Sequence, residues 1–102
     1  MHWKITQNEH ELRITLNGHL DFDASHAIGH LLAQLQQRPN KDVCVDLQHV
    51  KDLDSSGLGL LLRLRSSLQA KEMAIRISGC NETHKNTLRT ANFQRLFRID
   101  GL

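Results

Sequence analysis

Apolar residues in this chain repeat with two different periods, and the two periods alternate along its length. Trp3-Lys4-Ile5-Thr6 and Leu12-Arg13-Ile14-Thr15-Leu16-Asn17 place apolar side chains at every second position, as half-buried strands do. From Ala24 to Gln37 the period lengthens, and Ala27, Ile28, Leu31, Leu32 and Leu35 fall on one helical face. Val43-Cys44-Val45-Asp46-Leu47 is short and almost continuously apolar, the pattern of a strand covered on both faces. Leu58 to Leu68 is helical again. Met73, Ile75 and Ile77 then alternate with Ala74, Arg76 and Ser78 as a fourth strand. A short last helix is expected from Glu82 to Thr90, after which Phe93, Leu96, Phe97 and Ile99 fold a C-terminal turn onto the core.

The order ββαβαβα predicts an α/β fold with a mixed, mostly parallel sheet of four to five strands and right-handed crossovers. The first strand is expected to be antiparallel, through a tight polar turn around Asn8, with Gly18 ending the second. Asp23 or Ser25 is the expected cap of the first helix, and Pro39 lies just past its end.

With 102 residues the chain reads as a single domain, 1–102, able to bury a core without a metal or disulfide staple. The 13 basic and 11 acidic residues leave a net charge of +2 without a long basic run. Nucleic acid is therefore not the expected partner, because neutralising phosphates takes a concentrated patch. No stretch approaches the ~18 apolar residues of a membrane span. The opening MHWKITQNEH lacks the apolar core of a signal peptide, so a cytoplasmic protein without direct membrane insertion is expected. Cys44 and Cys80 form no CxxC pair and read as reduced thiols, Cys44 in the core.

In sheets of this kind the loops at the carboxyl ends of the parallel strands share the edge where ligands and partners dock. Three loops are expected there: His19 to Asp23, Asp52 to Ser56, and Gly79-Cys80-Asn81. The second begins KDLDSSGLGLLLRL, residues 51–64, an acid, two serines and a glycine directly before the most apolar segment of the chain. Ser55 can cap the helix that follows. Ser56 is then left at the first turn, its hydroxyl beside the amides of Gly57, Leu58 and Gly59. A helix start favours a bound or covalent phosphate, and Gly57 would let another chain approach. A phosphate would add about −1.5 to −2 charge units where Asp21, Asp52 and Asp54 already gather. Asp-Ser-Ser-Gly also makes an ordinary turn and cap. It is not a nucleophile elbow, since Asp54 stands where a glycine is needed, nor a P-loop, since no Gly-Lys-Ser/Thr follows.

These residues carry a family resemblance. Asp54-Ser55-Ser56-Gly57-Leu58-Gly59 resembles the Asp-Ser-Ser/Thr-Gly-Leu-Gly signature of the STAS domain, the fold of bacterial anti-sigma factor antagonists. Gly18-His19-Leu20-Asp21 is similar to its Gly-x-Leu-Asp, Val43 to Val50 to its central strand and loop, and Leu96-Phe97-Arg98-Ile99 to its C-terminal segment. Gly79-Cys80-Asn81 departs from the family's commoner Asn-Pro turn. The resemblance implies a non-catalytic partner-switching regulator that needs no cofactor or metal. Its unphosphorylated form would bind a serine kinase or anti-sigma-type regulator of the histidine-kinase-like ATPase fold. Phosphorylation of Ser56 would break that binding, and a PP2C-type phosphatase would restore it. Asp21, Asp23, Asp54, Ser55, Gly57, Leu58 and Gly59 would surround the partner contact. The output would be sigma-factor-dependent transcription or another process such as exopolysaccharide or biofilm formation. A different resemblance, to the small STAS subunit of a bacterial lipid-transport ATPase complex, implies an accessory subunit with no phosphate cycle.

Two features outside the motif carry alternatives. Arg65 lies within the apolar arc of Leu58, Leu61, Leu62, Leu64 and Leu68, and reads as a snorkelling side chain or as a salt-bridge donor to a partner. His26 and His30 sit one helical turn apart but lack a defined third ligand, which favours a solvated face over a metal site.

Overall fold

The computed structural model describes residues 1–102. Five strands lie in sequence order across one sheet: β1 (His2–Gln7), β2 (Glu11–Leu20), β3 (Asp42–Leu53), β4 (Ile75–Ser78) and β5 (Arg98–Ile99). β1 pairs antiparallel with β2, and every later pairing is parallel. The crossovers carry α1 (Ser25–Gln36), α2 (Ser55–Gln69) and α3 (Glu82–Thr90). The expected α/β order is therefore present, and the C-terminal segment completes it with a fifth strand.

One sheet face holds the core. Leu12, Ile14 and Leu16 of β2, Val43, Val45 and Leu47 of β3, and Ile77 of β4 share a single buried cluster. Ile28, Leu31 and Leu35 of α1, Leu60, Leu61, Leu64 and Leu68 of α2, and Leu88 of α3 belong to the same cluster. All three helices therefore pack on that face. Each fully buried leucine contributes about 1.5–3 kcal/mol by leaving water.

The other face of β3 is covered too, as expected of residues 43–47, but by polar groups rather than by the apolar cluster. Cys44 is fully buried, but its Sγ lies 3.1 Å from the Ser78 hydroxyl, outside the apolar cluster. Arg13 donates to Asp46 at 3.0 Å, and Arg76 bridges Glu11 at 2.9 Å and also Asp100. The hydrogen bond to Glu11, opposed by partial desolvation, raises the Arg76 pKa above its ordinary value. A flat polar network shields this face where no helix covers it.

Several boundaries differ from the sequence reading. Gly18 does not end β2, which continues to Leu20. The pairing with β3 shifts register on either side of Gly18, and at φ +115 the glycine absorbs the irregularity. Neither Asp23 nor Ser25 caps α1. A 3-10 turn, Phe22–Ala24, runs directly into the helix, and Asp21 caps that turn by accepting the Asp23 amide at 3.0 Å. β3 runs to Leu53, and α2 starts at Ser55 rather than Leu58.

Candidate functional site at the start of α2

β2 and β3 end together. Leu20 is in register with Leu53, so the Asp21 turn and the α2 start emerge side by side. Asp54 has extended backbone, with φ −107 and ψ −173, and its Oδ1 accepts the Gly57 amide at 2.9 Å. The Leu58 amide donates to the Asp54 carbonyl at 2.9 Å. The cap of α2 is thus Asp54, not Ser55. A carboxylate caps as well as a hydroxyl and adds a favourable charge at the positive helix end. The backbone decides between them, because Ser55 is already helical.

Neither serine has to cap. Ser55 and Ser56 are the first two helical residues, and both are exposed. Gly57 gives its amide to the cap and Leu58 makes the first intrahelical bond, so the amides of Ser55 and Ser56 have no acceptor inside the helix. An anion on either hydroxyl would meet free donors and the helix dipole.

Gly57 and Gly59 have separate roles. A Cβ on Gly57 would stand 1.9 Å from the Leu20 carbonyl oxygen. Gly57 is buried and admits the end of β2, and it is not the residue that gives another chain access. Gly59 fits that expectation better: nothing lies within 4 Å of its missing side chain. Along α2, Ser55, Gly59, Leu62 and Ser66 share the exposed stripe, with Leu62 a large exposed hydrophobic.

The acids flank this start. Asp21 is half-buried and shapes the turn, while Asp23 and Asp54 are exposed. His19 Nδ1 pairs with Asp52 across the ends of β2 and β3, tying the two segments together. The third expected loop is elsewhere. β4 ends at Ser78, in register with Asp46, well before β3 reaches Leu53. Gly79, at φ +73, turns against Asp46 and Gln48, and Asn81 then caps α3 by accepting the His84 amide at 2.8 Å. Half-buried Leu58 lines a shallow groove with Thr87 and Thr90 of α3 and with Ala91 just past its end instead. Two loops, not three, meet at the start of α2.

Arg65 does not reach outward. Its Nε donates to the Leu96 carbonyl at 2.9 Å and pins the C-terminal turn to α2. The rings of His26 and His30 lie 4.5 Å apart and line an open groove with Phe22 and Arg63. The sequence reading passed over Phe22, Gly29 and Arg63. A glycine inside a helix costs roughly 1 kcal/mol relative to alanine, so Gly29 was the available signal.

Comparison with known proteins agrees with this architecture. The family model described as "Mlab, STAS domain" matches residues 3–99. A STAS-domain containing protein of Pseudomonas aeruginosa is 34% identical over 89 residues, covering 87% of each chain. An anti-sigma factor antagonist from Mycobacterium paratuberculosis superposes with a TM-score of 0.84 at 16% identity, over 99% of this chain and 86% of that one. The phosphorylated form of the Bacillus cell fate determinant SpoIIAA superposes at 0.68 with 18% identity, over 96% and 90%. The family match, the curated relative and the shared fold converge, and the chain belongs to the STAS domain family.

Proposed function

We propose that this protein is a non-catalytic partner-switching regulator whose phosphoacceptor is Ser56. The observation that carries the reading is the cap: Asp54 caps α2, which leaves the exposed Ser56 hydroxyl free beside open amide donors. The solved relatives support a switching role, since one is an anti-sigma factor antagonist and another was determined in a phosphorylated form. The unphosphorylated chain docks a serine kinase or anti-sigma-type regulator of the histidine-kinase-like ATPase fold. The contact is made through Asp21, Asp23, Asp54, Ser55, Leu58 and Gly59, and Gly57 holds that surface in shape from within.

Phosphate on Ser56 adds about −1.5 to −2 charge units beside three acids. The amides of Ser55 and Ser56 and the helix dipole accommodate it within the chain, so the fold persists while the docking surface becomes bulkier and strongly anionic. A PP2C-type phosphatase returns the chain to its binding form in the cytoplasm. The output is a sigma factor or another regulated process.

A paired capture from native lysate tests this, with Ser56→Ala and Ser56→Asp chains as baits and mass spectrometry as readout. The alanine bait should retain a kinase-like ATPase that the aspartate bait loses. Aspartate carries less charge than phosphate, so a partial loss also counts. Equal retention of one transporter ATPase by both baits would overturn the switch in favour of an accessory transporter subunit.

A further inference from the structure

We propose that the groove between α1 and α2 seats an acidic segment of the partner, one that also carries an apolar side chain. This deepens the docking reading above and rests on it, by naming the chemistry of what docks. The open groove encloses about 490 Å³ and is lined by Phe22, Asp23, His26, Gly29, His30 and Arg63.

Arg63 is the one arginine of the groove. Arg13 and Arg76 are held by carboxylates; Arg63, like Arg38, Arg65, Arg89, Arg95 and Arg98, has none within 4.0 Å, and of these it is the one that lines the groove. Its one contact is a long 3.4 Å approach from Nη1 to the Ser25 carbonyl. Its Nη2 lies 3.4 Å from where a Gly29 Cβ would stand, so the guanidinium lies across α1 at the point where that helix has no side chain. The groove thus holds an uncompensated, forked cation against a bare helix surface, with two imidazoles beside it. A carboxylate is the group that fits such a fork, through two charge-assisted hydrogen bonds.

Phe22 supplies the second half. It is 76% exposed, the most exposed large hydrophobic side chain of the protein, and it sits in the turn after β2. Aromatic side chains, Phe among them, are enriched at the cores of protein interfaces relative to the rest of the surface. The one acid of the groove, Asp23, belongs to the same turn and precedes His26 and His30 along the chain. The groove therefore carries a carboxylate in the turn before α1 and one fixed cation, Arg63, where α2 faces Gly29. A partner segment would place its carboxylates over Arg63 and its apolar side chain on Phe22.

The test uses the full-length isotope-labelled chain and two synthetic peptides. One is built of Glu, Leu and Ala, and the other has every Glu replaced by Lys. Amide resonances are followed by NMR during titration. The Glu peptide should move Phe22, His26, Gly29, His30 and Arg63 saturably, and the Lys peptide should not. Arg63→Glu should weaken the Glu peptide by about tenfold while leaving the rest of the spectrum in place. An equal response to both peptides, no response, an Arg63→Glu response like the parent's, or shifts that follow protein concentration without peptide would each overturn the proposal. The last would point to a second copy of the chain as the occupant. If the peptide result fails while the two Ser56 baits still differ, the groove assignment falls and the switch stands. If the peptide binds as expected and the baits do not differ, the switch falls instead.

Discussion

Gly57, near the start of α2, meets the carbonyl oxygen of Leu20, the last residue of β2, so closely that a methyl group built there would lie 1.9 Å away. Leu20 and Leu53 are in register, so this contact sets where α2 leaves the sheet and how it presents Ser56. Backbone atoms form the obstacle, and they cannot rotate aside as a flexible side chain would. Gly57→Ala should destabilise the fold by about 1–3 kcal/mol, the usual cost of overpacking. For a domain of this size that lowers Tm by roughly 4–8 °C per kcal/mol. Gly59→Ala, with open space at its Cβ, should hold or slightly raise Tm. Thermal unfolding of the two variants checks the contrast, and similar losses in both would mean that Gly57 has no special packing role.

The cap assignment separates Asp54 from Ser55. Asp54→Ala removes the acceptor for the Gly57 amide and should cost about 0.5–2 kcal/mol. Ser55→Ala should stay within about 0.5 kcal/mol of the parent, as an exposed helical residue without a capping role. Chemical denaturation of both variants reads this directly. The reverse order of losses would restore the serine cap.

His84 lies inside the fold at 2% exposure, and neither ring nitrogen has a hydrogen-bond partner within the chain. Buried polar atoms left unpaired cost about 1–3 kcal/mol. His84→Leu should therefore stabilise the protein, by about 1 kcal/mol after repacking. A clear loss of stability would show that the imidazole makes a contact of value.

Cys80 gives a pH signature. Burial pushes its thiol up to about 11 from an ordinary value of 9.0, with Lys85 partly opposing the shift. The folded chain then binds this proton more tightly than the unfolded chain. The stability it contributes is whole below about pH 9 and is lost as pH rises toward 11. Denaturation midpoints measured across that window should fall more steeply for the parent than for Cys80→Ser. Parallel curves would remove Cys80 from the account.

Local patterns carried most of the architecture. The period-2 and period-3.6 segments located all three helices and four of the five strands, and α3 begins and ends where the pattern placed it. Mistakes cluster where a residue's role depends on a distant neighbour. Asp54, Ser55 and Ser56 are all good cap residues, and only the extended backbone at Asp54 selects among them. The purpose of Gly57 depends on Leu20, far away in sequence. Gly18 looked like a stop because its bulge exists only against β3. The outer face of β3 looked apolar because Ser78, Arg13 and Asp46 come together only once the sheet forms. At the site, the serines were legible from the motif. Arg63 was not, because its meaning comes from the absence of a carboxylate and from the gap at Gly29.

The most direct measurement is to locate the phosphate. The protein is purified from its own cells under phosphatase inhibition and digested with trypsin. The peptide from Asp52 to Arg63, which contains both serines of the motif, is then fragmented by mass spectrometry. Phosphate is expected on Ser56, and none on that peptide in a Ser56→Ala strain. Phosphate on Ser55 instead, or none in cells that contain the cognate kinase, would contradict the Ser56 switch.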